Sequence, residues 1–393
     1  MRVTGFLKMP AIAAAFCFVM IGCTGGNDNS GAVGVGVNVR HVSAGGNHTV
    51  AIGTDGTLWA WGNNHFGQLG DGTIITHRTM PTRIGANSDW AYVSAGWDHT
   101  AAVRADGTLW TWGWNNVGQL GDGTMGIANY RNTPAQIGTD TNWVSVSAGS
   151  GHTAAIRTDG TLWVWGNNEN GQLGIGTVGG FIPVPVQVQA GTLWESVSAG
   201  SNHTAAIRTD GSLWAWGFNG QGRLGDGTTT QRITPVRIGA DNDWASVSAG
   251  NAHTAAVRTG GTLWTWGFNG QGRLGDGTTT NRSSPVQIHA GRTWTSVSAG
   301  STHTAAIMEN GTLWAWGFNS HGRLGSGVAA GEMSFPSRVR TMTDVTWASI
   351  YAGGSHTVAV GTDGTLWAWG NNWDNQLGDD TMTNRYIQIQ VMP

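Results

Sequence analysis

The chain has 393 residues, of which only 11% are charged and one alone, Lys8, is a lysine; an average soluble protein carries roughly 25% charged residues. With a net charge of −3, a nearly lysine-free, mildly acidic chain lacks the electrostatic footprint of a phosphate-backbone binder, so nucleic acid is excluded as an expected partner. Sparse charge would suit a membrane-spanning protein if the apolar residues were contiguous. Beyond residue 23 they alternate instead and never reach spanning length.

Residues 1–22 read as an export signal: Arg2 and Lys8 form a positive start, and residues 11–21 a short apolar stretch. The segment ends in Met20-Ile21-Gly22-Cys23, which resembles a bacterial lipobox, with Met20 where that motif usually has Leu. The resemblance implies removal of residues 1–22 and acylation of Cys23, which takes the net charge from −3 to about −5. Cys17 then leaves with the signal and Cys23 is consumed, so no disulfide is expected. Thr24 in place of Asp implies the outer membrane if the host is Gram-negative. Residues 23–37 are a Gly-rich tether with a reach on the order of 20 Å.

From residue 38 to 393 the chain is one repeat array. Leu-Trp-x-Trp-Gly occurs seven times, its first tryptophan at Trp59, Trp110, Trp163, Trp214, Trp264, Trp314 and Trp367. A nearly constant period near 50 residues means that each unit buries its faces against its neighbours. In the unit 194–239, Trp194–Gly200 and His203–Thr209 alternate as strands. Asp210-Gly211 has the composition of a two-residue type I′ turn. Ser212–Gly217 returns, and Pro235–Gly239 is a short edge strand. In Leu213-Trp-Ala-Trp neither face is polar, so each sheet needs cover on both sides. A radial stack of four-stranded sheets provides it, with the tryptophan pairs as core.

The expected fold is therefore an all-β, seven-bladed propeller. The end, Tyr386–Val391, matches the last strand of a repeat, and the start, Val39–Gly45 and His48–Ile52, the first two. The ring is accordingly expected to close by pairing N-terminal with C-terminal strands.

Four recurring elements, Ala-Gly-x-x-His-Thr, Asp-Gly-x-Leu-Trp-x-Trp-Gly, Asn-x-x-Gly-Gln-Leu-Gly-Asp-Gly-Thr and Pro-x-x-Ile, resemble the RCC1 (regulator of chromosome condensation) repeat family over residues 38–393. The resemblance implies a seven-bladed propeller. Family members include a nuclear nucleotide-exchange factor and protein-binding platforms. Exchange in that family depends on a loop wedge that interrupts the repeat, and no interruption of that kind occurs here, so exchange is not expected.

His48, His99, His152, His203, His253, His303 and His356 recur once per repeat. Ligands spread around a ring cannot converge on one ion, so these are expected to be structural, each bonding to backbone in its own blade. The loop Gly-Gln-Gly-Arg-Leu-Gly-Asp-Gly at 220–227 lacks a phosphate-loop ending, and Asp226 becomes Ile175 and Ser326 elsewhere, which fits a turn preference. No metal site, cofactor or catalytic set is expected.

The informative positions are those where the chain departs from itself. Trp97-Asp98 stands before one repeated histidine, and Trp114, Phe218, Phe268 and Phe318 follow Trp-Gly, with Trp373 near the matching place of the last repeat. These are candidate binding residues if they form one exposed aromatic patch. The expectation is a monomeric, lipid-anchored, exported binding platform for an unidentified protein. The alternatives are a module for cell-surface glycan and a lyase or hydrolase built from loops.

Overall fold

The computed structural model describes residues 38–339 and 345–391; the signal segment, Cys23 and the tether up to residue 37 lie outside them. Among the described residues, 28 strands form seven four-stranded antiparallel sheets. Blade 1 comprises β1 (Val39–Ala44), β2 (His48–Gly53), β3 (Leu58–Gly62) and β4 (Arg78–Arg83). Blades 2 to 7 repeat this order at 90–136, 143–187, 194–237, 244–288, 294–338 and 347–391. The first strand of each blade lies innermost, and the Ala-Gly pairs at its end surround a depression of about 90 Å³ at the ring's centre.

Each blade uses four consecutive strands, which corrects the expected closure. β1 pairs only with β2, and the last strand, Arg385–Val391, pairs with Leu366–Gly370 of its own blade. Blade 7 meets blade 1 by face packing instead. Val39, Val42, Ala51 and Trp61 form one cluster with Val358, Val360, Leu366 and Val391. The Val39 amide donates to the Gly364 carbonyl at 2.9 Å, much as Trp194 donates to Gly160 elsewhere. Each blade is complete in its own four strands, so this seam resembles every other joint.

The packing is directional. Leu213 and Ala215 of blade 4 bury against Trp244 and Trp266 of blade 5, so one blade's aliphatic face receives the next blade's tryptophans. The second tryptophan of each pair is fully buried, as in Trp61, Trp112 and Trp216. At about 25 cal/mol per Å², burying 150–250 Å² contributes roughly 4–6 kcal/mol as an upper bound. The first is only half-buried: Trp110 donates its indole N–H to Thr108 at 2.8 Å and carries the Arg104 guanidinium 3.9 Å above its ring.

Two local expectations change. The Asp-Gly turn is not type I′, because Gly56 has φ +79° whereas Asp55 stays outside the left-handed region. The turn is a longer loop in which Asp55 accepts from the Thr57 amide and hydroxyl at 3.0 and 2.6 Å, holding a left-handed glycine behind it. The outer strand of blade 4 begins earlier than expected, at Arg232, and ends at Arg237. Pro235 falls where the register shifts between Ala215 and Gly217, so its missing N–H removes no ladder bond.

Candidate functional site

One end of the ring carries the Ala-Gly-x-x-His-Thr turns and the long loops after Trp-Gly. The repeated histidines are buried here, but their partners are not the expected backbone groups of their own blade. Each Nε2 meets the threonine hydroxyl of the next blade at 2.8–3.0 Å, from His48–Thr100 round to His356–Thr49. Each of those hydroxyls donates to a loop carbonyl of the blade carrying the histidine, such as Thr100 to Gln68 at 2.8 Å. Its proton being committed, the hydroxyl must accept from Nε2–H, which fixes the tautomer. The seven bonds close a ring of side chains through all blades. They bind blade to blade, and among the described residues no three His, Cys, Asp or Glu side chains converge as metal ligands would.

Burial pushes these imidazoles down, to about 3 for His48, His99 and His356 and about 4 for His152. His203, His253 and His303 go well below the ordinary range, from burial first and then from Arg223, Arg273 and Arg323 nearby. The neighbouring glycine is required by close approach. A Cβ on Gly96 would lie 2.5 Å from the Gly149 carbonyl and 2.6 Å from His99 Cε1.

The loops after Trp-Gly obey pairing rules that no single repeat reveals. Where the residue after Trp-Gly is Asn, the residue five later is Gln, and they bond: Gln68 to Asn63, Gln172 to Asn167 and Gln376 to Asn371, all at 2.9–3.0 Å. Where it is Phe, the partner is a buried Arg. Arg223, Arg273 and Arg323 lie 4.7, 4.6 and 5.5 Å from the Phe218, Phe268 and Phe318 ring centres. These phenylalanines are half-buried lids over their own arginines and form no common exposed patch. The three arginines also cross to the next blade, Arg223 Nη1 donating to the Asn251 carbonyl at 2.9 Å.

A second rule explains the variable aspartate. Asp226 accepts from the Thr228 hydroxyl and amide and pairs with Arg232 at 2.7 Å. Where the aspartate becomes Ile175, the arginine's place is taken by Ile182, packed into the same cluster. The aspartate is half of a swappable pair, more than the turn preference its sequence suggests.

Blade 2 breaks these rules. Trp114 follows Trp-Gly, but its partner position is Gln119, whose buried Nε2 has no acceptor. Trp114 stacks on Phe66 of blade 1 at 5.4 Å, a residue that carries no repeat signal in the sequence. Trp97 is 40% exposed at the central depression, where the other six blades place Gly, Ser or Asn. Asp98 is the one charged residue at its position, against Asn47, Gly151, Asn202, Ala252, Thr302 and Ser355. Desolvation raises its carboxyl to about 6; Asp374 adds to the rise and His65 opposes it.

Asp374, likewise without a repeat signal, accepts from Asn63 at 3.0 Å and lies 3.7 Å from His77. Beside it Trp373 is 59% exposed, its ring edge-on to His321 at 4.5 Å. The structure thus places Trp97, Asp98, Trp114 and Trp373 on the face of blades 7, 1 and 2, and leaves Phe218, Phe268 and Phe318 to the other arc. Cys23 lies outside the described residues.

The RCC1-like domain profile matches residues 99–392, and two Regulator of chromosome condensation (RCC1) repeat profiles match 55–103 and 39–68. The Ultraviolet-B receptor of Arabidopsis thaliana is 35% identical over 202 residues, covering 50% of this chain and 45% of that protein. The human Regulator of chromosome condensation is 32% identical over 172 residues, covering 43% and 41%. The matches therefore span less than half of these relatives' length. Among solved structures, human WBSCR16 superposes with a TM-score of 0.77 at 22% identity, covering 85% of this chain and 93% of that one. Prp20p of Saccharomyces cerevisiae gives 0.76 at 20% identity, covering 86% and 87%. At those identities the likeness is one of fold. Profile matches over most of its length show that the chain belongs to the RCC1 repeat family.

Proposed function

We propose that this propeller is a non-enzymatic protein-binding platform, exported and held to a bacterial membrane through Cys23, and that it docks its partner on the face around blade 2. The observation that carries the docking surface is the uncompensated departure there. Trp97 replaces Gly, Ser or Asn, Asp98 replaces neutral residues, and Trp114, standing where Asn63 accepts from Gln68, leaves the buried Gln119 amide without an acceptor. Buried polar groups are rarely left unpaired without another use. Exposed tryptophans at a rim are the usual anchors of a protein interface. The relatives' names, a receptor and a regulator, suit an interaction or regulatory role.

The experiment is a crosslinked pull-down from detergent-solubilised cells with the intact protein and a Trp97→Ala, Trp114→Ala, Trp373→Ala variant of unchanged far-UV spectrum. The expected result is a partner captured only by the intact protein. Equal capture by both would remove this face from the reading. Capture by neither favours glycan, a reading supported by the flat, 59% exposed Trp373 beside Asp374. Cys23→Ala is expected to release the protein from the membrane fraction.

A further inference from the structure

The joints between blades repeat the same ingredients, so they serve as controls for one another. In blades 2 to 5 the second strand ends in an arginine lying against two tryptophans; Arg104 sits 4.6 Å from the Trp90 ring and 3.9 Å from Trp110. Arg157 is neutralised by Asp140 at 2.5 Å and Arg258 by Asp241 at 2.5 Å, each carboxylate 17 residues upstream. Asp243 adds a second carboxylate 3.6 Å from Arg258. Seventeen residues upstream of Arg104 stands a neutral residue, Asn87. With its amide oxygen turned to the guanidinium, Asn87 accepts from Nη2 and Nη1 at 3.0 and 3.1 Å. The carboxylate left to Arg104 is Asp89, at 3.7 Å.

The outer strand adds a second cation at both joints, Arg83 at blades 1 and 2 and Arg237 at the matching place of blades 4 and 5. Two guanidinium groups therefore face two carboxylates between blades 4 and 5. Between blades 1 and 2, Arg83 and Arg104 face Asp89 alone, and Arg40 adds a third cation at the Trp90 carbonyl. Between blades 3 and 4 Arg208 also lacks a carboxylate, but Gln189 takes its guanidinium at 2.7 Å and Gln187 stands in place of a second cation. A cleft of about 310 Å³ opens between blades 1 and 2, where the cations are in excess, lined by Arg83, Asn87, Trp90 and Arg104 together with Asp71. The Asp71 charge is already spent on Arg78 at 2.5 Å. The buried Trp90 indole N–H also lacks an acceptor, but so do those of Trp143, Trp194, Trp244 and Trp294, so it marks the repeat and not a ligand.

We propose that the cleft between blades 1 and 2 binds a carboxylate group, which supplies the charge that Asp241 supplies to Arg258. The Arg83 guanidinium and the Asn87 amide nitrogen are its donors, with Arg104 behind them. A single negative charge fits the deficit, whereas a dianion would also meet Asp89 and Asp71. The volume lies at the lower end of small-ligand pockets, enough for a sugar acid or an acidic side chain of a partner. The site shares no residue with the surface around Trp97, so either assignment can fail alone.

The test is calorimetric titration of the full folded domain with two probe pairs, glucuronate against glucose and a blocked glutamate-containing peptide against its glutamine counterpart. At least one carboxylate probe is expected to bind where its neutral counterpart does not. Glucuronate alone would assign a free acid, and the peptide alone a partner's side chain. Asn87→Asp copies blade 5 and is expected to raise the thermal midpoint and weaken binding at least tenfold. Arg83→Gln copies Gln136, Gln187 and Gln287 of other blades and is expected to weaken binding by a similar factor. Carboxylate probes that bind no better than their neutral counterparts would overturn the proposal, as would Asn87→Asp binding like the unaltered protein.

Discussion

Blades 4 to 6 and blade 2 share their strand order and their histidine–threonine bond, yet they treat an aromatic residue after Trp-Gly in opposite ways. In blades 4 to 6 each phenylalanine comes with a buried arginine that takes its ring face and reaches the next blade. In blade 2 Trp114 comes with no such partner, and Gln119 keeps an orphaned amide nitrogen. Within a repeat protein, a substitution compensated inside its own unit reports packing. One left uncompensated has no account inside its unit, which is why the docking face is proposed there.

The largest test bears on what the two arcs share. All seven ring imidazoles are neutral in the fold and held below their ordinary value of 6.5. The unfolded chain therefore binds more protons, so stability is full above about pH 6.5 and falls as the pH drops toward 4. Each imidazole loses about 1.4 kcal/mol per pH unit in that window. Because all seven shifts have the same sign, the losses add and acid unfolding is expected to be steep. Urea midpoints by tryptophan fluorescence at pH 7.5 and 5.5 check this; equal midpoints would mean that the folded ring takes up protons freely.

A smaller effect tests compensation within a unit. Asp226→Ala strands Arg232 and two threonine donors, and is expected to destabilise by about 2–3 kcal/mol, discounted because the arginine is 35% exposed. Asp226→Ile with Arg232→Ile reproduces the blade 3 pair and should recover most of that loss. Denaturant titration of both decides; if the double variant is as weak as the single, the pair is not swappable.

Smaller still is the link between Phe268 and Arg273. A double-mutant cycle with Phe268→Asn and Arg273→Gln is expected to show about 1 kcal/mol of coupling, because the double variant recreates the Asn–Gln bond of blade 1. Additive losses would separate the two side chains.

The smallest effect singles out blade 2. Asp98 has a folded value of about 6 against an ordinary 3.8, so the fold holds its proton more tightly than the unfolded chain does. Its ionisation weakens the fold as the pH rises from 3.8 through 6, and the loss stays constant above. Asp98→Asn, the residue of blades 1 and 4, should raise the thermal midpoint by about 1–2 °C at pH 7.5 and by less near pH 5. An unchanged midpoint at pH 7.5 would mean that the carboxylate is solvated or paired.

Much of this was legible in the residues. Leu-Trp-x-Trp-Gly and its period carry the blades, because two apolar strand faces leave a sheet no stable home except between others. The closure was not legible, because Val39 stands where the other blades have Trp and Gly53 where four of them have Arg. Those changes made a complete first unit look like a fragment. Trp97 and Asp98 could be found by their difference from six counterparts. The fate of Phe218 could not, since it turns on a guanidinium five residues away that reaches back over the ring. Asp374 carries no repeat signal at all; only the lean of the blade 7 loop over blade 1 brings it to Asn63.

Because every blade is spun from one uninterrupted stretch, the joint between blades 7 and 1 holds no strand in trust for the other end. The gene could then be opened between any two blades and its original termini joined, with the same circle re-forming. For the same reason a blade can be copied whole. The shared run at 214–230 and 264–280 is what such a copying event leaves behind, and blade number becomes a quantity that one crossover can change.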